Sequence, residues 1–86
     1  MPEISRFYGI IIRMFYNDHN PPHFHVIYQE HEALMEISSL KILEGRLPRR
    51  AKALTTEWAN EHRDELYDNW LKAKQQEILD KIPPLE

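Results

Sequence analysis

Two segments near the middle of the chain alternate strictly between apolar and polar side chains, and this alternation constrains the fold more than any other feature. Residues 23–29 place Phe24, Val26 and Tyr28 on one side, and residues 32–38 alternate in the same way. Successive side chains of a strand point to opposite faces, so each segment is predicted to be a strand with one buried face. A tight turn at residues 30–31 would join the two strands into an antiparallel hairpin.

The hairpin also makes a prediction about the histidines. The register that gives every apolar residue an apolar partner places His25 opposite Glu36 and His23 opposite Ser38. A slip of two residues would keep the same faces and change these partners. In either register His23 and His25 project from one face of the strand, about 6.5–7 Å apart along the chain.

A further strand is predicted at residues 7–16, which are rich in aromatic and β-branched side chains. Added to the hairpin, it would place Arg13 and Phe15 on the face that carries the histidines. The sequence Asn-Asp-His-Asn-Pro-Pro at residues 17–22 predicts a loop, since neither proline suits the interior of a sheet. The sequence also permits a short fourth strand at residues 40–43, so the predicted sheet has three or four strands.

The second half of the chain predicts two helices. Pro48 suits the first turn of a helix, and Ala51, Leu54 and Trp58 recur at helical spacing behind it. Residues 60–64 indicate a break, and a second amphipathic pattern runs on to Lys74. The predicted fold is therefore α+β: a three- or four-stranded antiparallel meander followed by two C-terminal helices, in two layers.

With 86 residues the chain is predicted to be one domain over residues 1–86, with its core at about residues 4–76 and a frayed tail at residues 77–86. It contains no cysteine, which excludes a disulfide framework, a zinc–thiolate site and a cysteine nucleophile. No apolar run approaches the ~20 residues that cross a bilayer. We therefore expect a cytoplasmic location and no membrane partner. The net charge of −3 argues against a general nucleic-acid binder.

The histidines allow two kinds of site. In the first, His19, His23 and His25 hold a divalent metal such as zinc, with Asp18 or Glu36 as a carboxylate ligand. In the second, no metal is needed: His23 and His25 transfer protons, because imidazole titrates near neutrality. Arg13 would then stabilise negative charge, and Glu36 would orient His25.

A basic segment follows in the sequence LEGRLPRRAK. It contains Arg46, Arg49, Arg50 and Lys52 at the predicted start of the first helix. Helix N-termini and arginine side chains both suit phosphate, so the segment is a candidate for binding RNA or an acidic partner. The alternative is a solvated helix face. Basic residues oppose the helix dipole at this end, which favours a role other than local stability.

Two blocks, N-D-H-N-P-P-H-F-H-V at residues 17–26 and L-E-G-R-L-P-R-R at residues 43–50, resemble a small bacterial family known as a domain of unknown function. The resemblance extends from residue 4 to about residue 74. It implies a toxin of a type II toxin–antitoxin pair, encoded beside a small antitoxin-like protein. The residues that recur in the family would be His19, Pro21, Pro22, His23, His25, Gly45, Pro48 and Arg49.

Three functions follow as hypotheses. The first is a toxin that acts on RNA through histidine acid–base chemistry, with ribonuclease-like activity and no cofactor. The second is a non-catalytic module that binds the adjacently encoded protein, or nucleic acid, through its sheet face and basic helix. The third is a histidine-rich metal-binding protein.

Overall fold

The computed structural model describes residues 2–16 and 18–86, so Met1 and Asn17, the latter in the predicted loop, lie outside the described residues. The elements are β1 (Glu3–Phe7), β2 (Ile10–Arg13), β3 (His23–Tyr28), β4 (His31–Glu36), β5 (Ile42–Gly45), α1 (Arg49–Glu61) and α2 (Arg63–Lys74). The strands form an antiparallel sheet in the order β1-β2-β3-β4-β5. The α+β class and the two C-terminal helices are confirmed, whereas the sheet has five strands rather than three or four.

The additional strand comes from the N-terminal apolar run. Residues 7–16 do not form a single strand, because the chain reverses at Tyr8 and Gly9, whose φ angles are 50° and 79°. Two consecutive positive φ values suit the tight turns that match the twist of a hairpin. The run is thereby divided between β1 and β2, which pair through Phe7 and Ile10.

The central hairpin keeps its predicted faces but not its predicted partners. The turn lies at Gln29 and Glu30, one residue earlier than predicted, and Gln29 has a φ of 54°. His25 therefore lies opposite Leu34, and His23 lies opposite Glu36. This is the two-residue slip that the alternation alone allows, since a shift of two leaves every side chain on its own face.

The last strand lies two residues later than residues 40–43, and it ends at Gly45. Gly45 has a φ of 82°. A Cβ atom there would lie 2.1 Å from the carbonyl oxygen of Glu32, so the backbone of β5 approaches β4 more closely than any side chain permits. Pro48 directly precedes α1, as predicted.

Both helices pack on the face of the sheet that carries Phe24 and Val26. Trp58 of α1 is fully buried, with its ring centroid 5.2 Å from that of Phe7 and 6.1 Å from that of Phe24. Leu66 of α2 completes this side of the core. The break between the helices falls at His62, within the predicted interval. In the described part of the chain, neither helix is both long and apolar enough to cross a membrane.

The C-terminal segment, residues 77–86, for which a frayed tail was expected, forms no helix or strand but contacts the core at several points. Ile82 is only 3% exposed, and its N–H donates to the carbonyl of Ile4 at 2.8 Å. The indole N–H of Trp58 donates to the carbonyl of Pro83, and the buried Asn69 amide exchanges two hydrogen bonds with the backbone of Asp80. Polar anchors on both helices thus hold the tail against the core.

Candidate functional site

The loop before β3 brings a carboxylate to the two histidines of that strand. Asp18 Oδ2 lies 3.0 Å from Nε2 of His23 and 3.2 Å from Nε2 of His25. The histidines share a face because they stand two residues apart in β3. One oxygen atom therefore serves both imidazole rings.

His23 is a buried member of this group, with a side chain 3% exposed. Its Nδ1 lies 2.7 Å from the carbonyl oxygen of Pro21. A carbonyl oxygen only accepts hydrogen bonds, so Nδ1 carries the proton and donates. The ring of Trp70, from α2, lies 5.3 Å away between centroids and shields His23 from solvent.

His25 is partly buried and lies two residues further along β3. The ring of Phe15 contacts it edge-on, with centroids 4.1 Å apart. Its Nδ1 is buried and has no hydrogen-bond partner. The nearest carboxylate oxygen, Oε2 of Glu32, is 3.5 Å away, beyond a good hydrogen bond. The Nδ1 of His25 is therefore hidden from solvent, and its Nε2 contacts Asp18.

Asp18 is held from several sides. Its Oδ1 accepts a hydrogen bond from the backbone N–H of His19 at 3.1 Å, and Lys74 of α2 donates to its backbone carbonyl. Burial raises the pKa of Asp18, but the hydrogen bond with His25, the attraction to His23 and the His19 N–H together outweigh it. The pKa of this carboxyl is accordingly lowered, and the group is a carboxylate at neutral pH.

The three histidines predicted as metal ligands, His19, His23 and His25, do not come together. The side chain of His19 is 88% exposed, and its ring centroid lies 6.2 Å from that of His23. Among the described residues, the side-chain atoms that converge and could hold a metal ion, all within 4.8 Å of one another, belong to Asp18, His23 and His25. Asp18 thus takes the place given to His19. From the sequence, Asp18 was only one of two carboxylates that could join the histidines. The loop has no periodic pattern that predicts whether the side chain of Asp18 or that of His19 points towards β3.

The predicted catalytic group is only partly brought together. Arg13 lies directly opposite His25 across β2 and β3, on the predicted face. Glu36 lies opposite His23 instead of His25, and it accepts a hydrogen bond from Ser39. Glu36 therefore does not orient His25; the two-residue slip in register places Leu34 at that position.

The basic segment lies apart from the histidines. Arg46, Arg49, Arg50 and Lys52 are all exposed, between the end of β5 and the first turns of α1. Among the described residues, no hydrogen bond or ion pair joins this segment to Asp18 or to either histidine of β3. It is a separate cationic surface.

The sheet face opposite the helices carries partly exposed apolar side chains, and we call it the open face. Across neighbouring strands, Ile11 lies beside Ile27, and Ile27 beside Glu32. A second row runs through Arg13, His25, Leu34 and Glu44. An open groove of about 330 Å³ crosses this face, and it is lined by His25, Glu32, Ala33, Leu34, Glu44 and Gly45. The alternation in sequence predicted this face but not its groove.

Comparison with known proteins gives one match. A family model described as a domain of unknown function, DUF4160, matches residues 9–71, which is 63 of the 86 residues. The matched span runs from the turn after β1 into α2 and includes Asp18, His23, His25 and the basic segment. No curated protein and no solved structure matches the chain. The predicted resemblance to a domain of unknown function is confirmed.

Proposed function

The chain belongs to the DUF4160 family of domains of unknown function, and from that premise we propose that it is a non-catalytic protein-binding module. Its open face would dock a small, adjacently encoded partner. The observation that carries this proposal is the sheet face itself: the helices pack on the other side, and the apolar residues Ile11, Ile27 and Leu34 remain partly exposed.

Charge on the open face indicates the chemistry of the partner. Glu32 and Glu44 stand at its β4–β5 side, and Glu32 is 60% exposed. They flank the apolar centre formed by Ile27 and Leu34. Apolar area gives affinity, and complementary charge selects the partner and the register. The fitting occupant is a segment that combines apolar side chains with lysine or arginine.

The histidine geometry favours binding over proton transfer. A general acid or base needs a ring nitrogen within hydrogen-bonding reach of the substrate. Both nitrogens of His23 lie against protein oxygens, and His25 presents Nε2 to Asp18 while its Nδ1 is buried. In this conformation, neither imidazole is available to a substrate.

Co-expression with the adjacently encoded protein tests the proposal. We expect the two chains to purify as a complex, and we expect Ile27→Thr to weaken it at least about tenfold, since an apolar contact at the centre of an interface contributes more than 1 kcal/mol. Threonine keeps the β-branched shape that a strand prefers. Ile78→Thr is the matched control, because Ile78 is 87% exposed in the tail.

A second variant, Glu32→Lys, tests the charge. It reverses an exposed carboxylate and should weaken the complex most at low salt, where screening is least. The proposal fails if the folded chains do not associate, or if Ile27→Thr and Glu32→Lys bind as well as the native chain. It fails equally if the open face pairs two copies of this chain, which a mass measurement of the isolated protein would reveal.

The second candidate is the toxin that acts on RNA. It is favoured by the position of Arg13 directly opposite His25, which puts a basic residue and a histidine at neighbouring positions on one sheet face. Proton transfer would require His25 to leave Asp18. Inducible expression, alone and with the neighbouring gene, decides between the candidates. Growth arrest with RNA cleavage that disappears in a folded His25→Ala variant supports the toxin, whereas unchanged growth supports the binding module.

A further inference from the structure

We propose that Asp18, His23 and His25 form a binding site for a divalent transition metal ion of the zinc class. The ligands are Oδ2 of Asp18 and Nε2 of each histidine. The inference rests on the geometry around Asp18 and does not depend on the partner proposed for the open face.

The distances match those between ligands of one metal ion. Atoms that bind zinc at 2.0–2.2 Å are about 3.4 Å apart at a tetrahedral angle and about 2.9 Å apart at a right angle. The carboxylate oxygen of Asp18 lies 3.0 Å and 3.2 Å from the two Nε2 atoms. The three atoms all lie within 4.8 Å of one another, so they surround a common point.

The hydrogen bond from Nδ1 of His23 to the carbonyl oxygen of Pro21 directs Nε2 of His23 towards Asp18. Because Nδ1 donates to the carbonyl oxygen, a neutral His23 presents a lone pair at Nε2. In that neutral form the lone pair would face the Asp18 carboxylate at 3.0 Å and the two acceptors would repel each other, so the contact requires a cation between them, either a second proton on the His23 ring or a metal ion. A cation that both atoms bind removes the repulsion. The arrangement is the usual one in metal sites, where a ligating histidine donates its other N–H to a backbone carbonyl.

The surroundings hold the other two ligands in place. The backbone N–H of His19 bonds the second oxygen of Asp18, which leaves Oδ2 directed at the histidines. Phe15 packs against the ring of His25, and the carboxylate of Glu32 lies 3.5 Å from its Nδ1. Such outer contacts fix ring orientation and tune affinity in known metal sites.

The donor set defines the class of ion. Two imidazole nitrogens and one carboxylate oxygen suit Zn²⁺, Fe²⁺ or Co²⁺, whereas Ca²⁺ and Mg²⁺ prefer oxygen ligands alone. Three protein ligands leave coordination positions for water or another molecule, as in catalytic rather than structural zinc sites.

Metal titration of the chain, expressed without a histidine tag and treated with chelator, tests the site. We expect calorimetry to show one Zn²⁺ per chain, and Co²⁺ to give the visible spectrum of a nitrogen- and oxygen-ligated ion. Histidine ¹⁵N spectra should show Nε2 of His23 and His25 bound to Zn²⁺, with the proton retained on Nδ1 of His23.

Variants identify the ligands. Asp18→Asn replaces the charged ligand oxygen with a neutral amide and His25→Ala removes an imidazole, and we expect each to weaken Zn²⁺ binding by more than about 100-fold, the upper end of what loss of an outer contact costs. His19→Ala is the matched control, because His19 adjoins Asp18 but its side chain is exposed. It should bind Zn²⁺ as the native chain does. Circular dichroism establishes that each variant is folded.

Three results would overturn the inference. The first is a folded native chain that binds neither Zn²⁺ nor Co²⁺. The second is affinity that survives Asp18→Asn and His25→Ala unchanged, or that falls as far in His19→Ala as in Asp18→Asn. The third is a His23 ring protonated at both nitrogens with Zn²⁺ present, because an imidazolium paired with Asp18 would then explain the contact without a metal.

Discussion

Gly45 stands where two neighbouring strands come too close for any side chain. Its φ of 82° lies in the left-handed region, and a Cβ atom would lie 2.1 Å from the Glu32 carbonyl oxygen. Gly9 has a similar φ of 79°, but a Cβ there would meet only the Tyr28 ring at 3.5 Å, an ordinary contact. A side chain at Gly9 would therefore cause backbone strain alone, whereas a side chain at Gly45 would cause both backbone strain and a steric clash.

We predict that Gly45→Ala destabilises the fold more than Gly9→Ala. Both substitutions put a side chain at positive φ, which costs about 1–2 kcal/mol. At Gly45 the methyl group must also displace the backbone of β4, and this overpacking should add about 2 kcal/mol. Chemical denaturation of the two variants measures the difference. Equal losses of unfolding free energy would contradict the close approach.

Individual residues also show how much of the candidate site could be predicted from the sequence. The spacing of His23 and His25 in an alternating strand predicted that they share a face, and the structure agrees. The third member depended on the loop, where His19 and Asp18 are adjacent and no periodicity indicates their directions. The lowered pKa of Asp18 arises from its contacts with His25, His23 and the backbone of His19, which composition and spacing do not reveal.

At the level of elements, alternation predicted the faces of β3 and β4, whereas turns decided the register. A period of two cannot distinguish registers that differ by two residues. The N-terminal hairpin was missed for a related reason: Tyr8 and Gly9 sit inside a continuous apolar run, which reads as one buried strand. The helices were easier, because Trp58 and its neighbours keep a helical period over several turns.

The tail supplies a prediction with an internal control. Ile82→Ala should cost about 2–4 kcal/mol of unfolding free energy, since Ile82 is 3% exposed and a cavity would remain. Ile78→Ala in the same tail should cost almost nothing, because Ile78 is 87% exposed. Thermal unfolding of both variants provides the comparison. Equal melting temperatures for the two variants would mean that Ile82 is not packed against the core and that the tail is frayed, as the sequence predicted.

For the whole molecule, the sheet has two different surfaces, with the helices and tail on one side and the open face on the other. The loop that carries Asp18 joins them, because it contacts His25 of β3 and Lys74 of α2. A metal ion at Asp18, His23 and His25 would therefore tie the loop to the sheet in the folded state alone.

Under the metal-site proposal, Zn²⁺ should raise the melting temperature of the chelator-treated protein. Free metal at 100 times its Kd adds about 2.7 kcal/mol of stability, which for a domain of this size corresponds to about 10–20 °C. Chelator should reverse the shift, and Asp18→Asn should abolish it. A shift of the same size in Asp18→Asn would mean that the ion stabilises the protein from another place.

The bond from Ile82 to Ile4 also has a consequence for how copies of this chain behave towards each other. β1 is an outer strand of the sheet, and outer strands with free backbone groups recruit strands from other molecules. The tail occupies part of that edge. A chain cut short before residue 82 would uncover this edge, so proteolysis or truncation should cause self-association in addition to the loss of stability.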